Sequence, residues 1–387
     1  MPTRLERQLD FLVAADRLKS VQRPTTLADG SRPENAAEHA WHLCLWALVF
    51  ADQSNGANLG RVIQMLLLHA LPTLTTRPTG NSEADALAES AAIQALFSRL
   101  PADQAVAYGS LWQEYHAGRT TDARFARTLV AALPVFLDLS STSLRGEEFD
   151  ALRAELDTGA FAALHDDWPD LYHYADALLS RRTPIAMEPL AARLRFVMEA
   201  DRLKSVIRGT TLCDGSRREN SAEHSWHIML WAWTLEEHSA APVRLDLVLQ
   251  MLLLHDLVEI DAGDNPIHGN FDAAAVEAQE QAAAARLFGM LPAHQRIALR
   301  AIWETFEASQ TPDAVFAKAV DRAQPLICNL ETDGGSWHDY PVRRAQLQTR
   351  VGDKVKRGAP ALWSALAPRI DAWFAAHRPD PEADASA

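Results

Sequence analysis

Two histidines and two aspartates in the second half of the chain interrupt helical stretches that are otherwise apolar. His255 and Asp256 stand near the end of LDLVLQMLLLHDLVEI, Asp321 lies within AVFAKAVDRAQPLICNL, and His224 opens a neighbouring stretch, SAEHSWHIML. A carboxylate buried among leucines is costly unless it has a partner. One interpretation is a hydrogen-bonded His–Asp pair. The other uses all four side chains, whose nitrogen and oxygen donors suit Mn²⁺, Fe²⁺, Co²⁺, Zn²⁺ or Ni²⁺.

Helices are the elements predicted to position these residues. In LAARLRFVMEADRLKSV apolar residues recur at spacings of three and four, and the alternation typical of half-buried strands is scarce throughout the chain. Asn220 is a predicted N-cap with Glu223 at the third helical position, a capping box at the start of the helix that carries His224. The predicted fold class is all-α.

The chain contains two similar halves. DRLKSV occurs at 16–21 and again at 201–206, and AEHAWH at 37–42 is answered by AEHSWH at 222–227, an offset of 185 residues. The offset grows to about 191 where LWQEYHAGRTTDARFARTLVAALP matches IWETFEASQTPDAVFAKAVDRAQP. A period this long indicates a tandem duplication with small loop insertions.

The boundary between the halves is predicted within LLSRRTPIAMEP, because its Thr-Pro and Glu-Pro steps interrupt the helical pattern. We expect a first domain over residues 1–182 and a second over 186–378. The polar, acidic end of the chain, 379–387, is predicted to be a flexible tail.

Composition excludes several classes of function. With a net charge of −14, the chain has no obvious basic surface that would bind a nucleic-acid polymer or an anionic membrane. The three cysteines form no CxxC pair, which fits a reducing cytoplasm. The N-terminus lacks a secretion signal, and the longest apolar runs fall below the roughly 20 residues that span a membrane. We expect a cytoplasmic protein without a membrane partner.

The order of the four donors resembles a known family. His224, the adjacent His255 and Asp256, and then Asp321 follow the H…HD…D order of the HD-domain metal-dependent phosphohydrolases. The chain is most similar to the branch containing the bacterial YfbR-type 5′-deoxynucleotidases and the eukaryotic HD domain-containing protein 2 family. The shared stretches are RLKSVIR, REN, AEHSW, HDLVEIDAGD and IWETFEASQTPDAVFAKAVD.

The resemblance implies a helical fold that binds one divalent cation and hydrolyses the phosphate ester of a nucleoside 5′-monophosphate. The ligands it implies are His224, His255, Asp256 and Asp321, and the ion is Mn, Co, Fe, Zn, Ni or Mg. A divalent cation lowers the pKa of bound water and neutralises charge on a phosphoryl oxygen. Both effects serve monoester cleavage.

Three more residues take functional roles through the resemblance. Glu259, on the same helical face as His255, would orient or deprotonate the attacking water. Asp264 would hold the substrate or protonate the leaving oxygen, and Arg208 would contact the phosphate. The structural alternatives are a surface glutamate, a turn-capping aspartate and a solvated loop arginine.

Nearby polar residues are predicted to be structural. Lys204 is expected to be a solvated helix residue, and His227 to make a packing contact or a supporting hydrogen bond. His268 is a single loop histidine, which favours a mononuclear site. In the bacterial deoxynucleotidases a Trp follows the phosphate-binding arginine and helps exclude the ribose 2′-hydroxyl, whereas Gly209 stands here, so sugar selectivity stays open.

The first half has lost the acids of the predicted site. His39 and His69 correspond to the two histidines. The acids are replaced by neutral residues: Ala70 for Asp256, Thr73 for Glu259 and Val130 for Asp321. Two imidazoles without a carboxylate hold a divalent ion poorly, and Pro72 is expected to end or kink the helix. The first half is therefore predicted to be non-catalytic.

Two reasons for keeping such a copy are open. Proteins of this branch commonly form homodimers, so the first half would cover the second in cis, giving a monomeric pseudo-dimer or a weak homo-oligomer. Alternatively, Arg23, His39 and His69 form a regulatory nucleotide pocket.

The sequence leaves three functions open for the chain. They are hydrolysis of (deoxy)nucleoside 5′-monophosphates, hydrolysis of another nucleotide ester such as an alarmone or cyclic dinucleotide, and nucleotide sensing or scaffolding without turnover.

Overall fold

The computed structural model describes residues 2–77, 82–140, 147–184, 188–269 and 271–378. Most of them are helical, so the all-α prediction is confirmed. The predicted flexible tail, 379–387, lies outside the described residues. No described helix has both the length and the apolar character needed to cross a bilayer.

The first half consists of helices and one hairpin. Its helices are α1 (Arg4–Asp16), α2 (Ala36–Val49), α3 (Leu59–Leu68), α4 (Ser82–Phe97), α5 (Ala102–Ala117), α6 (Thr121–Ser140), α7 (Glu147–Thr158), α8 (Leu164–Asp167) and α9 (Pro169–Leu179). Its strands are β1 (Gln22–Thr26) and β2 (Pro33–Asn35). Short 3₁₀ turns lie at Arg17–Ser20, Ala51–Gln53, Leu71–Leu74 and Ala160–Ala163.

The described part of the second half repeats this order and has one further short helix, α13. Its helices are α10 (Glu188–Ala200), α11 (Ser221–Thr234), α12 (Leu245–Leu254), α13 (Glu259–Ala262), α14 (Ala273–Gly289), α15 (Ala293–Ala308), α16 (Pro312–Glu331), α17 (Arg344–Leu347), α18 (Asp353–Gly358) and α19 (Pro360–His377). Its strands are β3 (Ile207–Thr211) and β4 (Arg218–Asn220). The 3₁₀ turns are Asp201–Ser205, Glu236–His238 and Gly335–His338, and Gln348–Gly352 is π-helical.

The two hairpins are the part of the fold that the sequence patterns did not predict. In the second hairpin β3 and β4 are antiparallel, and Ile207 pairs with Asn220. The turn between them contains Gly215 at φ 73°, a left-handed conformation that glycine adopts without strain. Because β4 ends at the residue that caps α11, the hairpin places Arg208 of β3 beside the start of that helix.

The predicted capping box at the start of α11 is confirmed. The Asn220 side chain accepts from the backbone N–H of Glu223, and the Glu223 carboxylate accepts from the Asn220 N–H. Helix α16 begins with a Thr311 cap followed by Pro312 at the first position, where a missing N–H costs nothing. These two starts fix the helices that carry His224 and Asp321.

The helix predicted through His255 to Glu259 is wrong in its extent. Helix α12 ends at Leu254, and bonds from the Leu257 N–H to the Leu254 carbonyl and from the Glu259 N–H to the Asp256 carbonyl tighten the chain into turns. Glu259 then opens α13 instead of sharing the α12 face. The equivalent helix α3 also ends, at Leu68, although only that half has a proline nearby, so Pro72 is not what ends it.

The two halves pack as a pseudo-dimer, as predicted. Helices α2 and α11 contact each other at the centre. The indole of Trp41 donates to the Leu253 carbonyl over 3.1 Å, and the indole of Trp226 donates to the Leu67 carbonyl over 3.4 Å. These contacts exchange equivalent residues of the two halves, as an approximate two-fold axis requires. The domain boundaries stay a prediction; α9 ends at Leu179 and α10 begins at Glu188.

Candidate metal centre

Three of the four predicted metal ligands converge in the second half. His224 on α11, His255 after α12 and Asp321 on α16 each offer one ligand atom, and these atoms lie within 4.8 Å of one another. Oδ1 of Asp321 lies 3.3 Å from Nε2 of His224 and 3.9 Å from Nε2 of His255. All three side chains are buried.

Hydrogen bonds on the far side of each ring fix which nitrogen faces the cluster. Nδ1 of His255 lies 2.9 Å from the Leu252 carbonyl, an acceptor, so Nδ1 carries the proton. Nδ1 of His224 faces two acceptors, Oε1 of Gln324 at 3.1 Å and Oε1 of Glu219 at 3.2 Å. In both rings Nε2 is therefore the nitrogen that faces Asp321, and contacts with Glu219 and Asp321 raise the pKa of His224.

This arrangement brings the donor atoms of three side chains together in a buried site. Nε2 of His255 is buried and makes no well-aligned hydrogen bond among the described residues, although Oδ1 of Asp256 lies 2.9 Å away. A buried acceptor left in that condition is costly. When both rings are neutral, their lone pairs and the carboxylate oxygen repel one another, and a cation between them removes that repulsion. The side chains present therefore fit a divalent metal ion.

Asp256, the fourth predicted ligand, adjoins this cluster. Its Oδ1 lies 2.9 Å from Nε2 of His255, and its Oδ2 accepts a hydrogen bond of 2.7 Å from Arg208. Arg208 is only 10% exposed in its side chain. The alternative of a solvated loop arginine is therefore wrong, because the guanidinium is buried on β3 and paired with acids.

Burial works against charge on both aspartates, but neighbouring basic groups reverse its effect. The burial that would raise the pKa of Asp256 is outweighed by His255 and Arg208, and the pKa is lowered to about 2. For Asp321, Arg322 and His224 outweigh burial, and the pKa lies well below its usual value. Both groups are ionised at neutral pH, as metal ligands must be.

The pKa values of Glu259 and Asp264 are raised and not lowered. Burial and the neighbouring Asp256 raise the pKa of Glu259 well above its usual value. Burial also raises the pKa of Asp264, with Arg208 opposing and Asp256 adding to the shift. Oε2 of Glu259 accepts from the Ser221 hydroxyl over 2.6 Å, which holds it beside the start of α11. Carboxyls with raised pKa values keep a proton to higher pH than exposed acids and suit general acid–base roles.

A cleft opens beside these acids. Arg208 and Asp264 line one side, and Oδ2 of Asp264 accepts from the backbone N–H of Gly209 over 3.2 Å. His268 and Tyr340 line the same cleft, with ring centroids 6.2 Å apart. The cleft thus combines a cation and an acid with an aromatic wall.

Glu219 and Gln324 are site residues that the sequence interpretation missed. Both are fully buried and both lie against His224. Glu219 also lies 3.5 Å from Nε of Arg208, so it links a predicted metal ligand to the predicted phosphate-binding residue. A signal for Gln324 was present, because its counterpart in the apolar helix of the first half is Leu133.

The equivalent region of the first half lacks the carboxylates. His39 and His69 keep the arrangement, with ring centroids 6.1 Å apart against 5.7 Å for the second-half pair. Nδ1 of His39 lies 2.7 Å from Oε1 of Glu34. Burial lowers the pKa of His39 to about 4 and that of His69 to about 3, so both rings are neutral. Ala70 and Val130 occupy the positions of the two aspartates.

The chain is similar to known proteins in family, in sequence and in structure. The sequence model of the HD domain family matches residues 15–171 and 200–363. Proteins named 5′-deoxynucleotidase HDDC2 are similar to part of the chain. The Danio rerio protein is 26% identical over 135 residues, 35% of this chain and 66% of that protein. The Homo sapiens protein is 24% identical over 156 residues, 40% of this chain and 72% of that protein.

One solved structure is also similar. It is the crystal structure of a protein described as a predicted metal-dependent phosphohydrolase from Magnetospirillum magnetotacticum. The two sequences are 44% identical, the match covers 48% of this chain and 96% of that chain, and the TM-score is 0.46. The two regions matched by the family model, one in each half, support the tandem duplication.

Proposed function

The chain belongs to the HD domain family, and we propose that its second half is a metal-dependent phosphomonoester hydrolase that acts on nucleoside or deoxynucleoside 5′-monophosphates. The observation that carries the proposal is the convergence of His224, His255 and Asp321, whose potential ligand atoms meet in a buried site. Asp256 completes the proposed ligand set. A divalent cation held there supplies a water of lowered pKa and a Lewis acid for the phosphoryl group.

Arg208 is proposed to bind the phosphate. Its guanidinium lines the cleft and lies next to Asp256, so a phosphate that contacts it is close to the donor cluster. A planar guanidinium binds two oxygens of one phosphate at fixed geometry. The buried position strengthens that contact, because little water competes for it.

Glu259 and Asp264 are proposed to handle protons. With a raised pKa, Glu259 accepts a proton from the attacking water, and the Ser221 hydroxyl holds its carboxylate in place. Asp264 lines the cleft and keeps a proton to higher pH than an exposed aspartate. It is therefore placed to donate that proton to the leaving 5′ oxygen.

The lining of the cleft supports a nucleoside as the leaving group. Ile267, Pro325 and Tyr340 give it apolar and aromatic lining beyond the charged end. A phosphate at Arg208 with a flat, partly apolar group beyond it matches this distribution.

A screen of nucleoside and deoxynucleoside 5′-monophosphates with Mn²⁺, Co²⁺, Mg²⁺ or Zn²⁺ tests the proposal. The full chain is expected to release inorganic phosphate with at least one cation, and Asp256→Ala, which copies Ala70 of the first half, is expected to abolish release. The control is His69→Ala, which alters the first-half histidine and leaves release unchanged. Tight nucleotide binding without phosphate release under any cation would overturn the proposal in favour of a sensor.

A further inference from the structure

A lysine of the first half reaches into the surroundings of the metal centre in the second. Lys19 is fully buried in the turn after α1. Its Nζ lies 3.0 Å from Oε2 of Glu219, and it also contacts Oδ1 of Asp16 at 2.5 Å and Nδ1 of His227 at 3.1 Å. The other oxygen of Glu219 faces Nδ1 of His224 at 3.2 Å. One carboxylate thus joins the first half to a proposed metal ligand.

Equivalent contacts run from a lysine of the second half to a glutamate of the first. Nζ of Lys204 lies 3.0 Å from Oε2 of Glu34, 2.5 Å from Oδ1 of Asp201 and 3.1 Å from Nδ1 of His42. Lys204 is fully buried, so the expectation of a solvated helix residue is wrong. Each half therefore sends one buried ammonium group into the other.

The two ends of this symmetric arrangement differ in what lies behind the glutamate. Behind Glu34 is His39, in the half where Ala70 and Val130 replace the aspartates. Behind Glu219 is His224, which faces Asp321. The chain has thus kept the lysine and glutamate at both ends, while only one end has the acids of a metal site.

We propose that Lys19 is a positioning residue for the active site of the second half, acting through Glu219 on His224 and Arg208. The inference rests on the proposed function for its effect on turnover, but its effect on metal binding stands separately. It gives the non-catalytic half a chemical task, because that half supplies a cation that the second half lacks at this position.

The physical reason lies in the donors that hold Glu219. Lys19 makes the shortest contact with this carboxylate, 3.0 Å, and Gln324 Nε2 donates a hydrogen bond of 3.3 Å to it. With the ammonium in place, Oε2 is fixed and Oε1 points at His224 Nδ1 and at Arg208 Nε, 3.5 Å away. Without it, the carboxylate is free to turn towards Arg208, and the imidazole loses the acceptor that orients it.

The test compares Lys19→Met with Lys204→Met in the full chain. Both variants remove one buried ammonium from an equivalent cross-half contact, so a structural role predicts equal effects. We measure the urea unfolding free energy, the dissociation constant of Mn²⁺ alone by calorimetry, and kcat and KM for the nucleotide found in the screen. Both variants are expected to lose similar stability. Only Lys19→Met is expected to weaken Mn²⁺ binding, by about tenfold, as for other residues that support metal ligands.

Equal Mn²⁺ dissociation constants in the two variants would overturn the inference. Because Mn²⁺ binding is read without substrate, the result stands even if the chain releases no phosphate, which separates this inference from the proposed function. Should a lone buried glutamate prevent folding, both charges of each pair are removed. The comparison is then Lys19→Met with Glu219→Gln against Lys204→Met with Glu34→Gln, since a neutralised pair is often tolerated. The first pair is expected to bind Mn²⁺ more weakly, and equal binding overturns the inference.

Discussion

The guanidinium of Arg208 donates to Oδ2 of Asp256 over 2.7 Å, so the proposed phosphate-binding residue and a proposed metal ligand are direct partners. The pairing leaves Oδ1 of Asp256 facing Nε2 of His255 at 2.9 Å. Arg208 therefore orients a carboxylate and is close enough to bind a phosphate. Loss of the arginine is expected to disturb both.

Replacing Arg208 with Gln is expected to lower kcat/KM by about 100-fold, the size of effect seen when one fixed donor to a developing charge is removed. Arg208→Lys keeps the charge without the planar fork and is expected to fall between Gln and the natural residue. Steady-state phosphate release measures both.

The matched control for Arg208 is Arg23, its counterpart in the first half, whose Nε lies 3.5 Å from Oε1 of Glu34. Arg23→Gln is expected to leave kcat/KM unchanged. A loss as large as that of Arg208→Gln would mean that the first half takes part in turnover, and an unchanged rate in Arg208→Gln would remove Arg208 from the proposed mechanism.

Gln324 provides a second prediction. Its Oε1 accepts from Nδ1 of His224, which keeps the lone pair of that ring on the metal side. Gln324→Leu installs the residue present at Leu133 of the first half, so the helix is expected to tolerate it. Metal affinity, measured by calorimetry with Mn²⁺, is expected to fall by about 10- to 100-fold.

Gln8→Leu is the control for Gln324→Leu. Gln8 is also a buried glutamine, and it donates to the Thr234 carbonyl over 3.0 Å without contacting a proposed metal ligand. It is expected to reduce stability and leave Mn²⁺ affinity unchanged. If Gln324→Leu bound Mn²⁺ as tightly as the natural chain, the proposed orientation of His224 would be wrong.

Local sequence patterns were sufficient for the elements that carry the site. An apolar helix interrupted by a single acid predicted that Asp321 has a buried partner, and the cap at Asn220 predicted where the helix of His224 begins. Such signals lie within a few residues of one another and reflect local hydrogen bonding and burial.

Other features depend on contacts distant in sequence and left no local signal. The residues around Lys19 and Lys204 in the sequence are typical of a solvated turn, yet each lysine is buried against the opposite half. The β hairpins are also short, with three to five residues per strand, too few for a pattern to emerge. The break after Leu254 follows from tight turns at His255 and not from a proline.

The pseudo-dimer interface predicts how the second half behaves alone. Helix α11 is buried over nearly its whole length and packs on α2 of the first half. A fragment of residues 186–387 exposes this apolar helix and is expected to aggregate or self-associate. Co-expression with residues 1–182 is expected to give a one-to-one complex, measured by size-exclusion chromatography with light scattering. A monomeric 186–387 fragment with full activity would contradict the prediction.

The buried histidines of the interface predict the response of stability to acid. Burial, with the positive charges of Lys204 and Lys19 adding to it, lowers the pKa of His42 and of His227 from 6.5 to about 3. Both rings are neutral in the fold, whereas in the unfolded chain they take up protons below pH about 6.5. Unfolding therefore binds protons between pH about 3 and 6.5, and the free energy of unfolding falls as pH falls through that window.

His42→Gln is expected to reduce the number of protons that the chain takes up on unfolding at pH 5 by about one, measured by urea unfolding across pH. His165→Gln changes an exposed ring and serves as the control, and an equal pH slope in His42→Gln and the natural chain would contradict the assignment of a neutral His42.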